Sequence, residues 1–350
     1  MSTKRISTTF TRLLDVRTPI VSAPMAGASG GALAAGVVLG GGFGFIAAGY
    51  DSASKFSSEL ELARSILGKH IPDRLPLGVG FLCWQLEKPN SPAVDLLTIA
   101  LERRVQAIWF SFGTEIGRWA QYVRDYDRKL DDGHKTIIFA QIASVEEALV
   151  AVRDWKVDVL VAQGNESGGH GVAASPPLLT LLPAVLSLIR QNEIPVLGAG
   201  GLSSGAHAAS LLALGASGVV YGTRFLLTPE SLYSDAQKEA LLGAGVASTV
   251  RTMAFDVARG TLGWPSGVDG RGLRNETVED YDNGRDHSEL RQNFDEAMRQ
   301  GDQSRMLVWA GTGVGLMNEI LPAKDVLEEL HRACVEHLQL AYSCIASDED

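Results

Sequence analysis

The sequence predicts an α/β fold, a closed (β/α)8 barrel of the TIM type with a smaller C-terminal side or lid region. Three observations carry that expectation. Eight short runs rich in Val, Ile, Phe and Ala recur through the first two thirds of the chain, each closed by Gly, Pro or a polar turn, as buried parallel strands are. Amphipathic stretches lie between them, and the strand-to-strand spacing of roughly 20 to 40 residues suits successive βα units. Eight units in about 220 residues match a closed barrel better than an open doubly wound sheet.

The predicted strands run from Pro19 to Ser22, Gly44 to Ala47, Leu77 to Phe81, Ala107 to Ser111, Thr136 to Gln141, Val157 to Ala162, Pro195 to Leu197 and Gly218 to Tyr221. Among the helices, Ser144 reads as an N-cap with Glu147 closing a capping box. Gly40-Gly41-Gly42 precedes the second strand, so it reads as a helix C-terminal turn and not as a dinucleotide-binding loop. The apolar stretch Val21 to Tyr50 is long enough to span a membrane, but its many glycines and Pro24 make it a buried strand, turn and helix. Residues 1–227 are therefore expected to form the barrel, and the polar, turn-rich residues 228–320 a lid or small substrate-side domain returning to it. Residues 321–350 are expected to form a final helix, from about Ala323 to Cys344, and an acidic tail. That helix repeats apolar residues at Val326, Leu327, Leu330, Cys334, Val335 and Leu338, a face to bury on the barrel or on a partner subunit.

Composition narrows the function. The 350 residues are 45% hydrophobic and 21% charged, enough to build a large core without metals or disulfides. A net charge of −10 argues against nucleic-acid and anionic-membrane partners. Cys83, Cys334 and Cys344 are far apart without CxxC spacing and read as buried packing thiols. No His or carboxylate cluster has metal-ligand spacing, so no metal is expected. Residues 1–18 carry Lys4, Arg5, Arg12 and Arg17, a faint echo of a transit peptide without an apolar core, and a cytoplasmic location is the expectation.

Barrel enzymes place their chemistry just after the strands. After the first strand comes Ala23-Pro24-Met25-Ala26-Gly27, a turn of small residues against which a flat ligand can lie. After the sixth comes Gln163-Gly164-Asn165-Glu166-Ser167-Gly168-Gly169-His170-Gly171, the densest polar cluster at a strand end, in which His170 can act as base, acid or anion partner near neutral pH. After the seventh and eighth, neighbours in a barrel, come Gly198-Ala199-Gly200-Gly201 and Gly222-Thr223-Arg224, loops whose backbone N–H groups suit a phosphate. Alternatives remain at each: an ordinary glycine-rich loop, a plain left-handed turn, and a surface ion pair for Arg224. Taken together, the four loops describe a barrel that holds flavin mononucleotide (FMN).

These segments, in this order, resemble the nitronate monooxygenases, formerly called 2-nitropropane dioxygenases, which are FMN-dependent barrels. The resemblance covers most of residues 15–320 and extends to Arg271-Gly272-Leu273-Arg274-Asn275 and Trp309-Ala310-Gly311-Thr312-Gly313-Val314-Gly315, segments of fungal-type members. It implies that the backbone at Ala23, Pro24 and Met25 lies against the flavin ring and that Gln163 hydrogen-bonds it. Gly200, Gly201, Gly222 and Thr223 would hold the phosphate, with Gly168, Gly169 and Gly198 also among the cofactor-binding positions. His170 matches the family's catalytic histidine, which deprotonates neutral nitroalkanes and pairs with the nitronate. A nitronate is then oxidised with O2 to a carbonyl compound and nitrite. Ser167 departs from the family pattern, where alanine is common. The rival readings are an NAD(P)H-dependent flavin reductase of the enoyl-thioester type, an FMN oxidase of another carbon acid, and a barrel that binds a phosphorylated ligand without catalysis. The expected partners are a small-molecule substrate and O2, and the expected assembly a monomer or homodimer.

Overall fold

The computed structural model describes residues 4–68, 73–189 and 194–345. In chain order the strands among these residues are β1 (Ile20–Ser22), β2 (Phe43–Ala47), β3 (Leu75–Leu82), β4 (Val105–Ser111), β5 (Ile137–Ile142), β6 (Val159–Gln163), β7 (Gly169–Val172), β8 (Val196–Ala199), β9 (Gly218–Tyr221), β10 (Thr249–Thr252) and β11 (Val268–Leu273). Eight of them close a parallel barrel in the order β1-β2-β3-β4-β5-β6-β8-β9, with β9 pairing back onto β1. Each barrel strand lies within two residues of a predicted run. Such strands are legible because both their faces are buried: Val21, Phe45, Trp109, Phe139 and Val161 fill the inside, while Ile20, Ile46, Ile108, Ile138 and Leu160 pack under the surrounding helices. Inside, Phe45 meets Trp109 edge-on at 5.2 Å, and Trp109 stacks on Phe139 at 5.9 Å.

The basic N-terminal stretch is part of this core. Thr8 and Thr11 form a capping box that starts a helix at Thr9–Leu14, and its fully buried Phe10 meets Phe139 inside the barrel. At the other end of the chain, the helix Ala323–Ser343 buries Val326, Leu327, Leu330 and Cys334 against the helices Gly31–Leu39 and Gly205–Ala213. Residues 346–350, the acidic tail, lie outside the described residues. No helix among the described residues is long and apolar enough to cross a membrane.

Several expectations change in detail. The predicted lid holds structure of its own: an antiparallel sheet in the order β10-β11-β7, and helices at Ala254–Arg259, Glu276–Asp282 and His287–Gln300 over an apolar cluster of Phe255, Val278, Leu290 and Phe294. Its edge strand β7 comes from the loop after β6, so this sheet crosses the boundary expected at residue 227. Ser144 caps its helix as read, but Glu147 accepts from the N–H of Ala143 at 2.6 Å, one residue before the position a capping box uses. Arg224 is buried, not superficial, and donates to the Glu319 carbonyl at 3.3 Å with Glu329 at 3.8 Å. Cys344 is exposed, while Cys83 and Cys334 are buried packing thiols whose burial raises them, Cys334 to about 11.

Candidate active site

A cavity of about 380 Å³ opens at the C-terminal ends of the barrel strands. Ala23, Pro24 and Met25 line it after β1, Gln163 at the end of β6, Gly168, Gly169 and His170 where that loop becomes β7, Gly200 and Gly201 after β8, and Gly222 and Thr223 after β9. Barrel closure brings these four segments together. Gly198 is not among the lining residues. It sits within β8, where a Cβ would meet Leu211 Cδ1 at 2.8 Å, so its lack of a side chain admits a helix behind the strand.

One end of the cavity is walled by backbone. Gly200 and Gly201 have φ of +122° and +68°, conformations that glycine adopts at little cost. A Cβ at Gly222 would touch only Met25 Sδ, at 3.6 Å, so that backbone faces open space. The Thr223 hydroxyl accepts from the N–H of Gly311 at 3.0 Å, and the Glu166 carbonyl from the N–H of Thr312 at 3.0 Å, which clamps the Gly311–Gly313 segment over the same end. Glu166 spends its carboxylate on the N–H of Leu178, starting a helix, and does not face the cavity as a free acid. Nearer the barrel axis, Gln141 donates to Gln163 Oε1 at 2.9 Å. That bond orients the Gln163 amide so that its NH2 points toward the His170 carbonyl, 3.4 Å away.

His170 is held on three sides. As a residue of β7 it pairs with Gly270 of β11, and the arginines of the side sheet hold the rest of its loop. Arg251 donates to the Gly171 carbonyl at 2.7 Å, and Arg271 to the Asn165 carbonyl at 3.0 Å. Its ring stacks on Trp264, centroids 3.6 Å apart and planes 13° from parallel, and meets Trp309 edge-on at 5.0 Å. Its Nε2 lies 3.0 and 2.9 Å from the two oxygens of Asp256, a fully buried carboxylate that also accepts from the Thr261 hydroxyl at 2.8 Å and the Trp264 Nε1–H at 3.1 Å. Three donors converge on this carboxylate, which in its ionised form only accepts, so Nε2 carries the ring proton. Nδ1 has no hydrogen-bond partner among the described residues and is the nitrogen left to act as a base.

Sequence reasoning missed Asp256, Gln141, Trp264, Tyr50, Tyr233 and Arg259, all but Asp256 on the cavity wall. Asp256 carried one signal, an acid set into the apolar run Ala254-Phe255-Asp256-Val257-Ala258. Burial raises the Tyr50 phenol above its ordinary value, against a hydrogen bond to Gln85 and the charge of Arg259, and burial raises Tyr233 further. Both phenols are therefore neutral near pH 7.

The family model described as nitronate monooxygenase matches residues 7–333. The nitronate monooxygenase of Neurospora crassa is 33% identical over 344 residues, 91% of this chain and 90% of its own length. Among solved structures, nitroalkane oxidase from Streptomyces ansochromogenes aligns with a TM-score of 0.76 at 28% identity, covering 94% of this chain and 99% of that one. FabK from Thermotoga maritima aligns at 0.77 and 26% identity, covering 97% and 100%.

Proposed function

The chain belongs to the nitronate monooxygenase family of oxidoreductases, and from that premise we propose that it binds FMN and oxidises alkyl nitronates, and nitroalkanes after deprotonation, with O2 to carbonyl compounds and nitrite. The observation that carries the reading is the His170–Asp256 pair at a cavity walled by glycine backbone.

The residues present fit FMN. The cavity volume lies within the range of small-ligand sites, about 300 to 1,000 Å³. Gly200, Gly201, Gly222 and Thr223 supply backbone where a phosphate accepts hydrogen bonds, Gln163 has an oriented amide, and Ala23 to Met25 form a low wall for a flat ring, with Gly168 and Gly169 beside it. FMN, when bound, supplies an electron acceptor that O2 can reoxidise.

The chain's own part is proton transfer and placement. His170 Nδ1 takes the acidic proton from the carbon next to the nitro group, and the ring then carries a positive charge shared with Asp256. That charge lies beside the nitronate it has formed. Trp264 fixes the ring plane and covers one face, so water is excluded there and the nitrogen edge stays available. A nitronate supplied as the anion does not call on the base, and His170 serves it only as an ion partner.

The test is an absorbance spectrum of the purified protein, then O2 uptake and nitrite release with propyl-2-nitronate, with NADPH added separately under anaerobic conditions. A flavin spectrum with nitronate-dependent O2 uptake is expected. Flavin bleached only by NADPH would transfer the assignment to a reductase, flavin responding to neither would point to another carbon acid, and protein unable to take up FMN would end the cofactor reading.

A further inference from the structure

Among the described residues that line the cavity, Arg259 is the one permanent cation. It is exposed as well as cavity-lining, so it stands at the mouth, and its guanidinium forms no ion pair or hydrogen bond with any described residue. The helix Ala254–Arg259 explains this placement. Asp256, which holds His170, and Arg259 stand three residues apart on neighbouring turns of one helix face, so the cation lies close to the carboxylate behind the imidazole. Burial raises the phenols of Tyr50 and Tyr233, and the Arg259 charge opposes the rise at both, so its field reaches the cavity wall. A second unpaired guanidinium stands beside it, since a Cβ at Gly260 would lie 2.6 Å from Arg291 Nη2. The acids of this region are spent elsewhere, Asp51 on Lys55 at 2.8 Å and Asp256 on His170, Thr261 and Trp264.

A nitronate carries a negative charge, and the chain's net charge of −10 works against its approach. We propose that Arg259 captures the nitronate anion at the cavity mouth and draws it toward His170, an attraction that a neutral nitroalkane does not feel. This role rests on the nitronate reading above, and it makes Arg259 a determinant of which protonation state of the substrate is taken from solution. Arg259 acts on binding alone, and Nδ1 of His170 remains the base. Because the guanidinium is open to water, the attraction is screened by salt.

The experiment measures steady-state kinetics of the flavin-loaded wild type, Arg259→Lys, Arg259→Gln and Arg259→Glu with ethylnitronate and with freshly dissolved, neutral nitroethane. Each is run in about 0.01 M and about 1 M salt, where the Debye length is about 30 Å and about 3 Å. In low salt Arg259→Gln should raise KM for ethylnitronate about tenfold with kcat unchanged, Arg259→Glu should raise it further, and Arg259→Lys should keep most of the wild-type value. High salt should bring the wild type and the variants together, and kcat/KM for nitroethane should stay level throughout. An unchanged KM for ethylnitronate overturns the proposal, as do equal losses on both substrates or a deficit that salt does not narrow, the marks of a cation that only closes the end of its helix. A variant purified without flavin would place Arg259 on the cofactor and overturn it too. Wild-type protein that takes up FMN but does not turn over ethylnitronate rejects the nitronate reading itself, and the capture role with it.

Discussion

At the scale of single residues, the proposed chemistry turns on one imidazole and the carboxylate behind it. His170→Asn should lower kcat/KM for a neutral nitroalkane by about 10²-fold or more and that for the preformed nitronate much less, because only the neutral substrate calls on a base. Steady-state assays with nitroethane and ethylnitronate read the split, and equal small losses would remove the base assignment. Asp256→Asn addresses the orienting group. An amide can present either its oxygen or its NH2 to Nε2, so the ring proton is no longer fixed there. Turnover of the neutral substrate should fall by about 10²-fold while the nitronate is again less affected, a difference that mere loosening of the loop would not produce. His170 was legible in the sequence because its glycine-rich setting is local. Asp256 was not, since it reaches His170 across 86 residues of chain.

At the scale of elements, the loops after β8 and β9 look alike in sequence but respond differently to a side chain. At Gly222 a Cβ has room in the protein and projects beside Met25 at the cavity wall, so Gly222→Val should leave the melting temperature of the apo-protein nearly unchanged while abolishing FMN uptake in a fluorescence titration. At Gly201 the φ of +68° and a Cβ contact of 2.9 Å with Glu166 Cβ add strain, and Gly201→Val should lower the apo melting temperature as well. A Gly222→Val protein that retains full flavin would take that loop out of the cofactor site. The barrel strands could be read in advance because they are apolar on both faces. Strands β10 and β11 could not. Val268-Asp269-Gly270-Arg271-Gly272-Leu273 carries glycine and charge at alternate positions, which by composition is a turn, and it becomes a strand only because β7 and β10 pair with it on either side.

Across the whole molecule, the side region and the final helix are fixed to the barrel by contacts between distant segments. The helix Ala323–Ser343 approaches Gly205 so closely that a Cβ there would lie 2.5 Å from the Leu330 carbonyl and the Cys334 N. Gly205→Val should therefore cost about 3 kcal/mol by overpacking, measured by denaturant unfolding. Within the side region, Asp280 binds Arg305 at 2.6 Å and Arg285 at 2.9 Å. Burial alone would raise its carboxyl, but these two guanidinium groups outweigh that and hold it below the ordinary value. A depressed folded value adds stability above the unfolded one, about 3.9, and loses it as pH falls through the folded value. The melting-temperature gap between wild type and Asp280→Asn should thus be widest near neutrality and narrow below about pH 4.

By itself the sequence determined the barrel, the eight strands and the four loops at their ends, because burial on both faces and glycine-rich turns are properties of contiguous residues. Tertiary structure alone decided which of those loop residues reach the cavity: Gly198 lies behind it, and Arg224 is buried against Glu319. It also decided that the Trp264 N–H, the Thr261 hydroxyl and the His170 ring meet at Oδ1 of Asp256. Convergence of that kind depends on how the side sheet folds back over the barrel, and no local pattern of residue types records it.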